Sequence, residues 1–309
     1  MLVAAPRSGR RTPGGRAQRL CTPAQRRGTR VRRLGGEHPH HQRAVIRFTV
    51  GDDHVGRITL DRPGAANALT VEMRDEIVER VRECRDRDDV RSVLVTATGE
   101  SFCSGMDLRG STVAQAGTED FDPRSTSQAL RVGVQTFIRE LWELDKPTVA
   151  AVQGAAVGPG AHLALACDFV FTCDRTKFLW SFAKWGLVVD AGGAYLLPRL
   201  VGLPRAKAMV MLGEGAVGTE AVDLGLAYRH VGMGDAMSAE ADELAVRLAA
   251  GPTRSLGLSK TLLNRSFETA LPDSLELEGH FQSLATASAD LVEGMAAFRE
   301  KRPPDFTGR

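Results

Sequence analysis

Cysteine is scarce in this sequence, and what there is carries no pattern. Cys21, Cys84, Cys103, Cys167 and Cys173 are odd in number, scattered, and nowhere spaced as C-x-x-C. That argues against a disulfide framework and a structural zinc site, and it makes a reduced, cytoplasmic setting without metal the expectation. Long apolar runs are missing too, since none approaches the ~20 residues that a bilayer-spanning helix needs. A soluble protein with no membrane role is expected. No repeat of solenoid type is visible. Acidic side chains are nearly absent from residues 1–43, which hold eleven arginines against one acid, Glu37. That segment carries +10 while the whole chain carries +2, so residues 44–309 carry −8. The part able to fold is acidic, which speaks against nucleic acid as a partner.

Residues 1–43 are rich in Arg, Gly and Pro and lack apolar periodicity, so composition predicts a disordered extension. An organelle-directed leader would also be arginine-rich, though serine is sparse here. His38, His40 and His41 are read as incidental rather than metal-binding. From residue 44 the texture changes. Two strands are expected at 44–50 and 54–60, around the turn Gly51-Asp52-Asp53. Thr70 is a plausible N-cap for a helix whose apolar face is Met73, Ile77, Val81 and Cys84. Ser92 to Thr96 reads as a buried strand, Gly110 to Gln128 as a polar mobile loop and Ala129 to Leu144 as one helix. After Gly202 the pattern is almost wholly helical. An α/β core over 44–235 followed by a helical region over 236–309 is the expected organisation.

The most informative stretch runs from Lys146 to Gly202. Thr148 to Val152 is long enough for one buried strand, and it leads into a glycine cluster, Gly154, Gly158 and Gly160. An apolar helix through Leu163 and Leu165 follows, then a second strand at Phe169 to Thr172. A glycine-rich loop entering a helix offers free backbone N–H groups and a positive dipole end, which suits negative charge. Asp190 follows between an apolar run and Gly192-Gly193. An acid or base facing a cradle for charge is one reading. An N-cap for a helix starting near Ala191 is the other.

ITLDRPGAANALT (Ile58 to Thr70), SVLVTATGESFCSGMDL (Ser92 to Leu108), the Lys146–Gly202 stretch and AAFREKRPPDFTGR (Ala296 to Arg309) occur in that order. Together they resemble the enoyl-CoA hydratase/isomerase, or crotonase, superfamily over about residues 44–309. The resemblance implies a ClpP/crotonase-like α/β fold: a layered β-sheet core with repeated β-β-α units and a C-terminal helical region used for trimers and hexamers. It implies an acyl-CoA substrate, with coenzyme A entering as the thioester and no separate cofactor. It does not fix the reaction, because the fold hosts several.

Matched residue by residue, the first backbone donor of the family's oxyanion hole falls on Met106. The second falls on Pro159, which has no N–H. Proline suits a first helical position, so Gly160 or Ala161 would have to donate instead. The two glutamates of hydratases fall on His162 and Phe182, neither a carboxylate. Asp190 lies in GLVVDAGG, which is similar to the segment of double-bond-shifting relatives, and one carboxylate suffices for that reaction. An apolar wall of Leu187, Val188 and Val189 would raise its pKa. Asp190, His162, Met106 and Gly160 are therefore the expected catalytic residues. Ala66, Asn67, Ala68, Gly105, Asp107, Leu108, Pro159, Phe182, Trp185 and Lys301 are the expected substrate contacts, Lys301 reaching the coenzyme A phosphates. An isomerase is favoured; a hydratase pairing His162 with Asp190, or a binding protein disabled by Pro159, are the alternatives.

Overall fold

The computed structural model describes residues 45–109 and 111–309, and the features expected in residues 1–43 lie outside the described residues. The chain opens with a hairpin, β1 (Ile46–Val50) and β2 (Val55–Leu60), paired antiparallel. Helix α1 (Val71–Asp86) then crosses to β3 (Ser92–Ala97), which pairs parallel with β2. Thr70 caps α1 by accepting from the Met73 N–H at 3.2 Å, and Met73, Ile77, Val81 and Cys84 form its buried face. Helices α2 (Pro123–Val132) and α3 (Val134–Trp142) lead to β4 (Thr148–Val152). Next come β5 (Ala155–Val157), α4 (Pro159–Leu165), β6 (Phe169–Thr172) and β7 (Lys177–Leu179).

The chain then runs through α5 (Gly193–Val201), α6 (Leu203–Lys207), β8 (Ala216–Val217), α7 (Glu220–Asp223) and β9 (Arg229–His230). It closes with α8 (Gly234–Ala249), α9 (Thr253–Arg265), α10 (Leu271–Thr286) and α11 (Ala289–Glu300). None of the described helices is long and apolar enough to cross a membrane.

Six strands form one sheet in the order β1-β2-β3-β4-β6-β9, parallel after the first hairpin. Strand β4 explains why its sequence reads as an unbroken apolar run. Ala150 and Val152 face the main core, while Val149 and Ala151 face a second cluster built on Met237, Ala241, Leu244 and Ala245 of α8. A strand covered on both faces has no polar side to show. A second sheet, β5-β7-β8, sits beyond the end of β4.

Three expectations are corrected here. The glycine cluster is not all loop, because Ala155–Val157 pairs with Lys177–Leu179. These strands have three residues each, too short for a period-2 signal. The polar segment after Gly110 contains a helix from Pro123, capped by Asp122, whose carboxylate accepts from the Arg124 N–H at 3.0 Å. Finally, the single helix expected at 129–144 breaks at Gly133. There the chain passes so close to the Arg74 guanidinium and the Ala129 carbonyl that a β-carbon would collide with both.

Candidate active site

The site forms where β4 ends and the chain turns through β5 into α4. The segment Phe102–Leu108 is zipped on one side to β5: the Cys103 N–H donates to the Ala155 carbonyl at 3.0 Å, and the Val157 N–H to the Cys103 carbonyl at 2.9 Å. On its other side it is zipped to the Ala66–Leu69 loop. Ser104 N–H donates to Ala66 O at 3.0 Å, Leu69 N–H to Gly105 O at 2.8 Å and Asp107 N–H to Leu69 O at 2.9 Å. Since Gly105 and Asp107 spend their groups on Leu69, the intervening Met106 N–H points the other way. Among the described residues nothing accepts from it. Gly105, at φ 98°, lies against the glycine loop: a β-carbon there would stand 3.0 Å from the Val157 carbonyl and 3.9 Å from Pro159 Cδ.

Pro159 is the first residue of α4, as a proline in that loop should be. Gly158 precedes it as a cap without a side chain, and the His162 N–H takes the Gly158 carbonyl at 3.0 Å. The N–H groups of Gly160 and Ala161 therefore have no helical partner. Gly160 is glycine for space. A β-carbon would lie 2.5 Å from the Cys103 carbonyl and 2.7 Å from its Cβ and Sγ. Cys103 itself is fully buried, and burial pushes its thiol up to about 12, so it packs as a small hydrophobe.

Asp190 follows the short 3-10 turn Phe182–Trp185 and precedes α5. Its backbone carbonyl accepts from the Gly193 N–H at 2.8 Å across a tight turn in which Ala191 (φ 46°) and Gly192 (φ 78°) are left-handed. Its carboxylate does not cap α5, whose N-cap is Gly192, and among the described residues Asp190 Oδ1 is buried without a partner. Burial pushes its pKa up to about 6. The expected apolar wall is only partly there, because Leu187 and Val188 are exposed and only Val189 packs on the core.

His162 is completely buried and sits beside Asp190. Trp180 Nε1–H donates to its Nε2 at 3.0 Å, and its ring stacks on Phe182 with centroids 6.1 Å apart. Burial pushes its pKa down to about 4, so it is neutral at pH 7. Its Nε2 lone pair is occupied and its Nδ1 has no partner. With Nε2 accepting from Trp180, this tautomer has no lone pair left to take a proton, which bears against the base half of the acid/base role expected of His162. Among the described residues three buried side-chain polar atoms lack a partner, and two of them are His162 Nδ1 and Asp190 Oδ1. Unpaired buried polar atoms are rare, and two at one place single this point out as the candidate site.

The other expected residues divide. Ala66, Ala68, Asn67, Gly105, Asp107 and Leu108 lie on the two zipped segments, but the Asn67 side chain is spent internally. Its Nδ2 donates to the Thr98 and Ser101 carbonyls at 2.9 and 2.8 Å, and its Oδ1 accepts from Arg62 N–H at 2.8 Å. Asp107 is likewise held by Arg109 (2.8 Å) and Arg62 (2.9 Å), which keep its carboxyl well below the usual range. Phe182 is buried against His162, as a pocket wall would be, whereas Trp185 is 68 % exposed on the surface. Lys301 is an exposed, left-handed residue ending α11 and makes no ion pair with the cluster among the described residues. The bond from Trp180 to His162 had no sequence signal, because the two residues are 18 apart in the chain.

The arrangement brings together a half-buried carboxylate, the start of a helix and an adjacent loop whose N–H group has no partner among the described residues. Comparison with solved structures gives the class. An enoyl-CoA hydratase from Polaromonas sp. JS666 superposes with a TM-score of 0.78 at 31 % identity, covering 84 % of this chain and 99 % of that one. The fold is the crotonase fold.

The enoyl-CoA hydratase/isomerase family model matches residues 51–309, and the chain belongs to that family. Among named relatives, the 1,2-epoxyphenylacetyl-CoA isomerase of Escherichia coli (strain K12) is 37 % identical over 256 residues, 82 % of this chain and 94 % of the relative. A protein of Rhodobacter capsulatus named "Probable enoyl-CoA hydratase" is 36 % identical over 265 residues, 86 % and 98 % of the two chains.

Proposed function

We propose that this chain shifts a double bond within an enoyl-CoA thioester, using Asp190 as its single acid/base. The observation that carries this reading is the setting of Asp190. It is a carboxylate with a buried, unpaired oxygen and a pKa of about 6, and no second carboxylate stands at His162 or Phe182. A base that titrates near neutrality can both take and return a proton. Asp190 removes a proton from the carbon α to the thioester, and the electron pair of that C–H bond moves onto the thioester oxygen. The Met106 N–H holds that oxygen, with Gly160 or Ala161 supplying the second donor that Pro159 lacks. Asp190 then returns a proton at the γ carbon, the double bond moves into conjugation, and no atom is gained or lost. The isomerase among the relatives supports the reading. Coenzyme A enters as part of the substrate, and the C-terminal helices join copies of the chain so that Lys301 can meet the phosphates of a neighbour's ligand.

Water addition is disfavoured by the Trp180–His162 bond, which takes the nitrogen a hydratase would use as base. Pro159 favours a second reading, acyl-CoA binding without turnover. Incubation of a 3-enoyl-CoA in deuterated water tests all three. Conjugated product with deuterium at the α or γ carbon, lost in Asp190→Asn, is the expected result. Loss of general-base function costs about 10²–10⁴ in rate. Hydrated product would favour the hydratase, and binding with no exchange would favour the binder.

A further inference from the structure

We propose that His162 is a positioning residue: Trp180 fixes its neutral Nδ1–H tautomer, and that N–H steadies the turn from which Asp190 projects. This rests on Asp190 being the reacting carboxylate.

An indole N–H can only donate, so its 3.0 Å bond to His162 Nε2 requires a lone pair there and leaves the ring proton on Nδ1. The ring has no freedom to exchange its two edges. Phe182 lies parallel to it within 6°, and the α-carbon of Gly193 presses on its Cε1–Nε2 edge so closely that a methyl group there would collide. No part of the ring reaches solvent. On the remaining edge the Asp190 backbone lies beside the ring, although among the described residues Nδ1 makes no contact of full hydrogen-bond geometry.

The Asp190 carbonyl closes the turn to Gly193, and its second lone pair is open to the imidazole. The turn needs such support, because Ala191 sits at φ 46°, a left-handed conformation that a residue with a β-carbon resists. An Nδ1–H directed at the Asp190 carbonyl holds the turn closed and so aims the carboxylate. The other tautomer would direct a lone pair at the same carbonyl and push it away. The histidine thus stands where hydratases keep a glutamate, but its work is to hold a turn rather than a water.

Ring ¹⁵N NMR of the full-length, uniformly labelled protein reads the tautomer directly. The expected result is protonated Nδ1 and bare Nε2 from about pH 5 to 8, and a mixture of tautomers in Trp180→Phe. Proton exchange into a 3-enoyl-CoA should fall about tenfold to a hundredfold in kcat for Trp180→Phe and His162→Leu, with KM within about threefold. His162→Asn, whose amide can place an N–H where Nδ1–H stood, should stay within about fivefold of the parent. A protonated Nε2 or an imidazolium at pH 7 overturns the proposal. So does a His162→Leu variant that melts lower yet keeps the parent kcat, since that describes packing alone. Persisting exchange in Asp190→Asn would remove the catalytic reading and this role with it, whereas a wrong tautomer would remove the role alone.

Discussion

Asp190 pays for its reactivity with stability, and the sign of that cost is testable. Its folded-state pKa, about 6, lies above the ordinary value of 3.8. The native state therefore prefers the protonated acid, an advantage that is complete below about pH 4 and is lost as pH rises through 6. At pH 7 the buried charge costs on the order of 2–3 kcal/mol. Asp190→Asn should consequently melt above the parent at pH 7, with the gap closing towards pH 4, as calorimetry across that range would record. The rate should have the opposite dependence: a base must be ionised, so kcat/KM should fall as pH drops, with an inflection near pH 6. Gly160 and Pro159 give a matched pair. Gly160→Ala drives a methyl into the Cys103 backbone and should open the gap between α4 and the Met106 loop, costing about a hundredfold in rate. Pro159→Gly should change the rate less than about tenfold, because the adjacent N–H groups remain in place. A hundredfold gain instead would show the native cradle to be defective.

Individual elements are fastened by charge as well as by apolar packing. Lys146, buried just before β4, donates from Nζ to the carbonyls of Cys84, Arg85 and Arg87 at 2.6, 3.1 and 2.7 Å. These are the last carbonyls of α1, which the helix cannot satisfy itself and where its dipole welcomes a cation. Lys260 of α9 does related work, meeting Asp168 at 3.0 Å while the Asp168 carboxylate accepts from the Thr148 N–H at 2.7 Å. Both lysines fix β4, and β4 leads directly into the site. Lys146→Met should destabilise the fold by about 2–3 kcal/mol, since it strands buried carbonyls that a charged donor had satisfied. Urea unfolding measures this; a loss under about half a kcal/mol would mean water replaces the ammonium.

For the molecule as a whole, the C-terminal helices stand out for what they leave uncovered. Phe267, Leu271, Leu275, Val292, Met295 and Phe298 are all exposed, Phe298 by 86 %. A groove of ≈ 710 Å³ runs between α9, α10 and α11. So many large apolar side chains left in solvent are unusual for a chain that works alone. The proposed assembly of copies through these helices predicts a trimer or hexamer in sedimentation, and Phe298→Glu should shift it to smaller species. A parent protein that sediments as a monomer would remove the assembly and the trans-acting role of Lys301.

What the sequence determined on its own is whatever depends on local pattern or on ordered motifs. Thr148–Val152 read as a buried strand because both faces are covered, and Met73 to Cys84 read as a helix face because apolar residues recurred each turn. Pro159 as a helix start and Asp190 as a candidate base were legible from residue type and motif order. The short strands β5, β7 and β8 were not, because they owe their form to one another rather than to propensity. Gly133 could be read as a glycine but not as a break, and the crowding that requires glycine there comes partly from an arginine some sixty residues earlier. The role of His162 was decided last and only in three dimensions. Nothing in a lone histidine specifies its tautomer; the bond from Trp180, the stack on Phe182 and the contact with Gly193 do, and they come from later stretches of chain that only folding brings to it. Residue type sets which chemistry a side chain can do, while burial and hydrogen-bond partners, which only the folded chain supplies, set which of those chemistries remains open to it.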